Sequence, residues 1–305
     1  MTEIRGARIA VSGASGMIGS AVVAALKSGG AKIARLARPG ARPDSSNELI
    51  PWNPAQPMDP ESVSGFNAVI HLAGESVFGR WSAEKKARIR DSRIPATANL
   101  AQALAQAKVK PRVFLCASAI GYYGNRSDEI LNEDSAVGTG FAADLARDWE
   151  EARKPAADAG IRTVRMRIGI VLARHAGALA QMLPPFRAGI GGRVGSGKQW
   201  MSWIDLDDLV GAVQHILKTD SLAGAVNLVG PDPVTNIQFT KTLASVLHRP
   251  ALFPIPAFVM RLAFGEMADE LLLASDRVEP KRLLDSGYTF QFPTLRSSLE
   301  HILKG

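Results

Sequence analysis

Three glycines near the start of the chain have the spacing of a phosphate-binding turn. Gly13, Gly16 and Gly19 lie in the run Gly-Ala-Ser-Gly-Met-Ile-Gly, between a short apolar stretch and a helical pattern. The first glycine permits a tight turn, the second lets a pyrophosphate approach the backbone, and the third lets the helix pack on the sheet. Free N–H groups and the positive dipole of the helix N-terminus attract phosphate oxygens. The motif predicts a dinucleotide-binding loop, and the alternative is a tight turn without a ligand.

The end of the second predicted strand indicates which dinucleotide would bind. Sites for NAD usually place Asp or Glu about 20 residues after the glycines, where the carboxylate binds the ribose 2′-OH. Here the region reads Arg35-Leu-Ala-Arg38-Pro-Gly, and the first acid that follows is Asp44. The Arg38 guanidinium could pair bidentately with a 2′-phosphate, although a solvated loop arginine would give the same pattern. The sequence therefore favours NADP(H) as the cofactor.

A second glycine-rich run, from Gly192 to Lys198, has the spacing of a nucleotide-triphosphate loop. Gln199 replaces the Ser or Thr that such a loop needs for magnesium, and no clear strand precedes it, so an NTPase is excluded. Arg193 and Lys198 could instead meet a phosphate of the substrate or lie in a solvated loop.

Apolar strands that alternate with helical patterns must position these loops. The predicted strands begin near residues 7, 32, 67, 112 and 163, and helical patterns cover about 82–108 and 140–158. Such alternation indicates an α/β fold of the Rossmann type, with a doubly wound parallel sheet. The composition changes after about residue 250, where a Pro-rich segment leads into an apolar helical run from Phe258 to Leu273. We predict an NADP-binding domain over 1–234 and a small, mainly helical domain over 235–305.

Composition excludes several classes of protein. Hydrophobic residues make up 46% of the chain and charged residues 21%, which is enough apolar material for a large core. The single cysteine, Cys116, excludes an intrachain disulfide, and the five histidines show no metal-binding spacing, so no metal site is expected. No apolar stretch is long enough to span a membrane and no secretory signal is evident, so we expect a cytoplasmic protein without a membrane partner.

The formal net charge of +7 favours anionic partners. Lys and Arg are dispersed along the chain and tyrosines are scarce, so nucleic-acid binding is not expected. A small anionic substrate or a phosphate-bearing cofactor would suit the same excess of charge. The sequence leaves open whether the protein forms a homodimer.

Several motifs together resemble one protein family. They are His71-Leu-Ala-Gly74-Glu75, Ser92-Arg93-Ile, Ser118-Ala-Ile-Gly-Tyr-Tyr-Gly124, Trp149-Glu150, Arg167-Ile-Gly-Ile-Val-Leu172, Gly195-Ser-Gly-Lys-Gln199 and, in the tail, Arg277-Val-Glu-Pro-Lys-Arg-Leu283. The chain resembles the atypical extended short-chain dehydrogenases/reductases, in the NAD(P)-dependent epimerase/dehydratase-like branch of nucleoside-diphosphate-sugar epimerases with its own C-terminal domain. The resemblance implies dinucleotide contacts at Gly13, Ser15, Gly16, Met17, Ile18, Arg38, Leu72, Ala73, Gly74 and Glu75, with Arg93 as a further candidate in a helix facing the cofactor cleft.

The proton-transfer pair of that superfamily is missing. The family uses Tyr-x-x-x-Lys, in which the ammonium lies one helical turn from the phenol and lowers its pKa. The tyrosines here are 122, 123 and 288, and none has a lysine four residues later. The helix expected to carry the pair has Phe141 and Leu145 at this spacing.

Other groups must therefore supply any acid–base chemistry. Tyr123, Ser118 and Asp144 are the candidates, with Glu150 as a further one, although a packing or surface role suits each of them as well. Ser118 lies one residue before the usual Ser/Thr position, which falls on Ala119, so its side chain points the other way unless the strand has ended.

Two functions follow from this pattern. The first is an NADP(H)-dependent oxidoreductase or epimerase that acts on a small anionic or nucleotide-sugar-like substrate. The alternative is a non-catalytic NADP(H)-binding or redox-sensing protein, since the cofactor motifs are present and the proton-transfer pair is absent.

Overall fold

Within the residues that the computed structural model describes, 3–41 and 47–304, a parallel sheet of seven strands forms the centre of the molecule. Asp44 lies outside these residues. The strands are β1 (Arg8–Ser12), β2 (Lys32–Ala37), β3 (Glu48–Pro51), β4 (Ala68–His71), β5 (Val113–Ala119), β6 (Ile130–Leu131), β7 (Arg162–Ile168), β8 (Ile170–Leu172), β9 (Trp200–Met201), β10 (Trp203–Asp205), β11 (Gly224–Leu228), β12 (Val234–Thr235) and β13 (Arg277–Val278).

The strand order of the central sheet is β11-β7-β5-β4-β1-β2-β3. The chain moves outward from β1 to β3 and then returns to the other side of β1, so β1 and β4 are neighbours at a topological switch point. Ligands of doubly wound sheets bind outside the carboxyl ends of the strands at this point. Ser12, the last residue of β1, is level with Leu36 of β2 and His71 of β4, so the loops that follow these strands begin side by side. The predicted Rossmann-type fold is confirmed.

Helices cover both faces of the sheet. They are α1 (Met17–Ser28), α2 (Ala83–Asp91), α3 (Ile94–Gln106), α4 (Phe141–Glu151), α5 (Lys154–Asp158), α6 (Gly177–Arg187), α7 (Leu206–Lys218), α8 (Asn236–Leu247), α9 (Ala257–Phe264), α10 (Lys281–Asp285) and α11 (Leu295–Lys304), with a π-helical turn at Ala268–Leu272. Helices α1 and α7 pack on one face, and α3 and α5 on the other. None of the helices described is both long enough and apolar enough to cross a membrane.

Two predicted helices are each divided into two. The helix expected over about 82–108 ends at Asp91 and resumes at Ile94, and the one expected over about 140–158 ends at Glu151 and resumes at Lys154. Pro95 and Pro155 lie in the first turn of the second helix in each case. Proline has no N–H to donate to an intrahelical hydrogen bond, but it is well tolerated in the first turn of a helix. These two prolines therefore favour the start of a new helix at each position.

The C-terminal region packs against late segments of the sheet domain. One apolar cluster contains Leu183 of α6, Trp203 of β10, Phe239 of α8 and Leu299 of α11. The predicted division after residue 234 thus runs through a shared cluster of side chains. The helical run predicted from Phe258 to Leu273 consists of α9 and the π-helical turn, and Gly265, at φ 60°, separates them.

Candidate dinucleotide-binding site

The glycine loop between β1 and α1 is closely packed at its first and third glycines. Gly13 has φ 67°, and a Cβ there would lie 2.7 Å from the backbone carbonyl carbon of Leu72. A Cβ on Gly19 would lie 2.1 Å from the Gly13 carbonyl oxygen. Both positions therefore require glycine, and the loop closes on the segment that follows β4.

The N-terminus of α1 is available to a phosphate. Gly16 is the N-cap residue, no side chain caps the helix, and no acid lies in its first turn. Ser15 and Gly16 are exposed, while Met17 and Ile18 are half-buried against the apolar core. The N–H groups of the first turn and the helix dipole thus point outward, and no carboxylate of that turn competes for them.

Two depressions border this helix. The first, of about 380 Å³, is lined by Ala14, Ser15, Ser20, Val23, Ala24, Lys27, Arg35 and Asn47. The second, of about 420 Å³, is lined by Met17, Ser20, Ala21, Ala173, Arg174, His175, Ala176 and Leu206. The basic side chains of Lys27, Arg35, Arg174 and His175 were not among the predicted site residues. The signal available for the first depression was Arg35, an arginine between the apolar residues Ala34 and Leu36 of a predicted strand.

Arg38 follows directly after β2 and its side chain is exposed. Leu36 is level with Ser12, so Arg38 is two residues beyond that level, at the same edge of the sheet as the glycine loop. This position allows the guanidinium to face a group on the ribose of a dinucleotide bound at the loop. Among described residues, no carboxylate lies between Arg38 and Glu48.

Ser12 and His71 hold the segment after β4 beside the glycine loop. The Ser12 hydroxyl oxygen accepts hydrogen bonds from the N–H groups of Leu72 (3.2 Å) and Ala73 (3.3 Å) and lies 2.6 Å from His71 Nδ1. Because this oxygen already accepts two bonds, its proton is directed at Nδ1, which leaves Nε2 to donate to Thr97 Oγ1 at 3.0 Å. Burial lowers the pKa of His71 to about 4. The ring is therefore neutral at pH 7 and has a positioning role.

Arg93 lies in the turn between α2 and α3, rather than in a helix as predicted, and supports the same segment. Its guanidinium donates hydrogen bonds to the carbonyl oxygens of Glu75 (2.8 Å) and Ile89 (3.1 Å). A Cβ on Gly74 would lie 3.1 Å from the guanidinium carbon, so glycine permits this approach. Burial lowers the pKa of Arg93 to about 10, and the side chain stays charged at pH 7. Lys85 Nζ donates to the Glu75 carboxylate at 2.9 Å, which lowers the pKa of Glu75.

Ser118 and Tyr123 belong to one buried polar network. Ser118 is still within β5 and donates to Glu150 Oε1 at 2.8 Å. The Glu150 carboxylate also pairs with Arg167, at 2.8 Å and 3.1 Å. The Tyr123 hydroxyl accepts from Arg167 at 2.9 Å and donates to Asn227 Oδ1 at 2.7 Å. Burial raises the pKa of Tyr123 to about 12, so the phenol is neutral at pH 7.

Helix α4, where the Tyr-x-x-x-Lys pair was expected, carries apolar side chains at those positions. Phe141 packs edge-on against Trp81 with ring centroids 5.0 Å apart, and Leu145 belongs to the same cluster. Asp144, on the same helix, is 54% exposed at its side chain and pairs with Arg147 at 2.8 Å. Of the predicted acid–base residues, Asp144 is therefore the one whose ionisable oxygens reach solvent.

The C-terminal region contributes charged groups near α4 that sequence reasoning missed. Glu270 accepts a hydrogen bond from the Ala142 N–H at 3.1 Å, and a Cβ on Gly140 would meet the same carboxylate. Lys86 Nζ lies 4.6 Å from the centre of the Phe141 ring and pairs with Glu266 at 2.9 Å. Ala142 and Glu270 are 128 residues apart in the chain, so no local sequence pattern predicts this contact.

Asp205, Asp207 and His301 also come together, although no spacing in the sequence predicted it. Both carboxylate oxygens of Asp205, one of Asp207 and one ring nitrogen of His301 have partners inside the protein. Asp205 accepts from the Asp207 N–H and the Ser298 hydroxyl, and His301 Nε2 lies 2.9 Å from Asp207 Oδ2. These contacts join the start of α7 to α11, a structural role.

Comparison with known proteins gives relatives that match almost the whole chain. An epimerase family protein of Mycobacterium leprae is 42% identical over 299 residues, which cover 97% of this chain and 96% of the relative. The human epimerase family protein SDR39U1 is 33% identical over 303 residues, which cover 97% of this chain and 99% of the relative. The crystal structure of human SDR39U1 with NADPH has a TM-score of 0.89 at 32% identity, and the match covers 98% of this chain and 99% of that one.

Two family models match successive parts of the chain. The first, described as a domain of unknown function, DUF1731, matches residues 255–302 in the C-terminal region. The second, described as the NAD dependent epimerase/dehydratase family, matches residues 9–229, which include the glycine loop, Arg38 and the segment after β4. The sequence resemblance is thereby confirmed, and the chain belongs to the NAD dependent epimerase/dehydratase family.

Proposed function

We propose that this protein is an NADP(H)-dependent oxidoreductase or epimerase that acts on a small anionic or nucleotide-sugar-like substrate without a Tyr-x-x-x-Lys pair. The observation that carries the proposal is the uncapped N-terminus of α1 at the same sheet edge as the exposed Arg38. The presence of NADPH in the crystal structure of a relative that is 32% identical supports it further.

The residues at the switch point suit a dinucleotide with an additional phosphate. The Gly16 N–H already donates to the Gly13 carbonyl oxygen at 3.0 Å, so Gly16 would serve by letting the pyrophosphate approach the backbone. The N–H groups of Met17 and Ile18 would hold the pyrophosphate, and Arg38 would hold the 2′-phosphate. The segment from Leu72 to Glu75, including Ala73 and Gly74, would line the cofactor beside β4. When bound, the nicotinamide supplies hydride transfer. The chain's own groups, through Ser12, His71 and Arg93, keep that segment in place.

The net charge of +7 supports an anionic substrate. In the loop from Gly192 to Lys198, Arg193 donates to the Gly195 carbonyl oxygen and so shapes the turn, while Lys198 is exposed. Lys198 is therefore the residue of this loop that we propose for contact with a substrate anion.

Titration of NADPH and NADH against the Arg38→Ala variant tests the choice of cofactor. Loss of a charge-assisted pair to the 2′-phosphate should weaken NADPH by about 1.5–3 kcal/mol and leave NADH nearly unchanged. Arg5→Ala, which removes an exposed arginine before β1 at the opposite edge of the sheet, is the matched control and should change neither affinity. Equal affinity of the wild-type protein for both cofactors, or tighter binding of NADH, would contradict the proposal.

A non-catalytic NADP(H)-binding or redox-sensing protein is the second candidate. It is favoured by the buried network, because the Ser118 and Tyr123 hydroxyls are both bonded within the protein. The absorbance of bound NADPH, followed while nucleotide sugars and small carboxylates with carbonyl groups are added, separates the two functions. Oxidation that depends on one compound supports an oxidoreductase. An epimerase returns the hydride to its substrate and leaves the cofactor unchanged, so conversion of a nucleotide sugar to its epimer by the protein loaded with NADP+ supports an epimerase. Neither change with any compound supports the sensor.

A further inference from the structure

A cluster of exposed apolar side chains lies in the C-terminal region. Eleven large apolar residues are exposed among those that the structure describes, and five of them fall within residues 252–262. These five are Leu252 (77% exposed), Phe253 (57%), Phe258 (68%), Val259 (39%) and Leu262 (76%). Isolated apolar residues on a surface are ordinary, but a concentration of this kind marks an interaction site.

The backbone brings a sixth apolar side chain to the same surface. The Phe253 N–H donates to the Gly191 carbonyl oxygen at 3.3 Å, and a Cβ on Gly189 would lie 3.5 Å from the Pro250 ring. Ile190, which is 59% exposed, lies between these two contacts. We call Ile190 and the five residues of 252–262 the apolar patch.

Helix α9 presents part of the apolar patch as a stripe. Phe258 and Leu262 are four residues apart and Val259 and Leu262 are three apart, so the three side chains lie on one side of the helix. None of the residues of α9 is buried. The helix is fixed at its end by Arg80, which donates to the Leu262 carbonyl oxygen at 2.7 Å, and by contact of Phe264 with Phe78. The stripe is therefore held in place while it faces solvent.

The two chain segments that form this surface carry only positive charge. Residues 173–204 and 233–265 contain no Asp or Glu, and their basic residues are Arg174, Arg187, Arg193, Lys198, Lys241, Arg249 and Arg261. Arg187 lies three residues before Ile190, Arg249 lies three before Leu252, and both are exposed. Among the acids that follow α9, Glu266 pairs with Lys86 at 2.9 Å and Asp269 pairs with Arg261 at 2.9 Å. Arg187 and Arg249 thus form a cationic rim beside the apolar patch.

We propose that this surface docks on an anionic lipid membrane, with the apolar patch at the level of the headgroups and Arg187 and Arg249 against lipid phosphates. Apolar side chains next to basic ones are what binds peripheral proteins to such membranes. Docking of this kind needs no spanning helix. The proposal goes beyond the expectation of no membrane partner, which rested on the absence of a spanning stretch.

The charge distribution favours a membrane over a second copy of the chain. In a twofold dimer the same surface meets itself, so the two basic rims would enter one interface, and the two segments supply no carboxylate to offset their repulsion. The apolar patch is also separate from the depressions beside α1, since none of its residues lines either of them.

Co-sedimentation with vesicles tests the proposal. We expect the full-length protein to bind vesicles of phosphatidylcholine with phosphatidylglycerol, to bind pure phosphatidylcholine far more weakly, and to dissociate as salt is raised. Phe258→Ser/Leu262→Ser should weaken binding by about tenfold or more, because serine replaces two apolar side chains that enter the membrane. The matched control is Val109→Ser, at an exposed apolar residue before β5 on the opposite edge of the sheet, and it should bind as the wild type does.

A pair of charge reversals tests the rim separately. Arg187→Glu/Arg249→Glu should weaken binding to anionic vesicles by about tenfold or more. Lys108→Glu/Lys218→Glu alters the net charge equally at two exposed lysines outside the surface and should have a much smaller effect. Unchanged thermal unfolding and NADPH affinity would show that each variant is folded.

Three results would overturn the proposal. One is wild-type protein that does not sediment with anionic vesicles. Another is equal loss of binding in the patch variant and in Val109→Ser. The third is a dimer, seen by light scattering, that Phe258→Ser/Leu262→Ser converts to a monomer, since this would make the apolar patch an interface between copies.

Discussion

At the scale of single residues, burial decides what Tyr123 can do. Its side chain is fully buried and its hydroxyl is bonded to Arg167 and Asn227. With a pKa of about 12, only about one phenol in 10⁵ is ionised at pH 7. The nearby cation, Arg167, is matched by the Glu150 carboxylate, so its charge is already balanced within the network. This arrangement keeps a neutral phenol in place and does not produce a tyrosinate.

Tyr123→Phe should therefore lower stability more than it affects chemistry. The change leaves Asn227 Oδ1 and an Arg167 N–H without their partner in a buried site, which costs about 1–3 kcal/mol of unfolding free energy. Urea denaturation measures this loss, and NADPH titration should show an affinity close to that of the wild type. Tyr288→Phe, which removes a hydroxyl that donates to the Asp208 carbonyl oxygen at 2.8 Å, is the comparison variant.

The same variant can contradict this interpretation once a substrate is known. A loss of turnover of roughly a thousandfold, with NADPH affinity unchanged, would identify Tyr123 as the acid–base group, since that is the upper range of such catalysis. Retention of most activity would favour either a carboxylate such as Asp144, which is exposed, or direct proton exchange with ordered water.

At the scale of elements, the site is made by the ends of β1, β2 and β4 and the start of α1. Their parallel register brings the glycine loop, Arg38 and the segment after Leu72 to one edge of the sheet. The loop and that segment touch where Gly13 faces the Leu72 carbonyl group. The element ends thus depend on one another, and a change in the loop is transmitted directly to the neighbouring segment.

Gly13→Ala should push the glycine loop away from the segment that follows β4. The new Cβ would lie 2.7 Å from the Leu72 backbone, and φ 67° is itself unfavourable for alanine. NADPH should bind about tenfold more weakly or worse, comparable to the loss of one charge-assisted bond to phosphate. Gly160→Ala separates the effect of the positive φ from the effect of the backbone contact. Gly160 has φ 82°, but a Cβ added there would have nothing within 4 Å.

Isothermal titration of both variants with NADPH is the measurement, with thermal unfolding to record the cost of the positive φ. Gly160→Ala should lose stability and keep its NADPH affinity. An affinity of Gly13→Ala equal to that of the wild type would show that the loop does not meet the cofactor.

At the scale of the whole molecule, the C-terminal region is held to the sheet domain by both polar and apolar contacts. Asp208 of α7 accepts hydrogen bonds from the N–H groups of Gln291 (2.7 Å) and Phe292 (2.9 Å). Phe239 and Leu299 share a cluster with Trp203. These contacts tie α7, α8, α11 and β10 together, so the C-terminal region docks on the rest of the chain.

Truncation after residue 235 should therefore give an insoluble or ligand-incompetent protein. It would expose Trp203 and the apolar side chains of α6 and leave the Asp208 carboxylate without its partners. Soluble yield and NADPH binding are the readouts, and a protein that lacks only Lys304 and Gly305 is the control. A well-folded truncated form with normal NADPH affinity would refute this prediction.

Much of the candidate cofactor site could be proposed from the sequence because its signals are local in the chain. The glycines of 13–19 and Arg38 each lie next to the strand that positions them, and strand alternation alone indicates a parallel sheet whose carboxyl ends share an edge. The helix starts at Pro95 and Pro155 were also within reach of the sequence, since proline at those positions carries the information by itself.

Contacts between distant parts of the chain were decided only by the tertiary structure. Asn227 lies 104 residues from Tyr123 in the chain. No local sequence pattern near either residue predicts the hydrogen bond between the Tyr123 hydroxyl and Asn227, which belongs to the buried network around the neutral phenol. Likewise, the sequence shows that 252–262 is apolar, as a buried helix would be, but not that its side chains remain exposed. Periodicity and composition determine which elements form, because those interactions are between chain neighbours. Which polar groups are paired and which apolar faces stay uncovered depends on how all the elements pack, and that is a property of the complete fold.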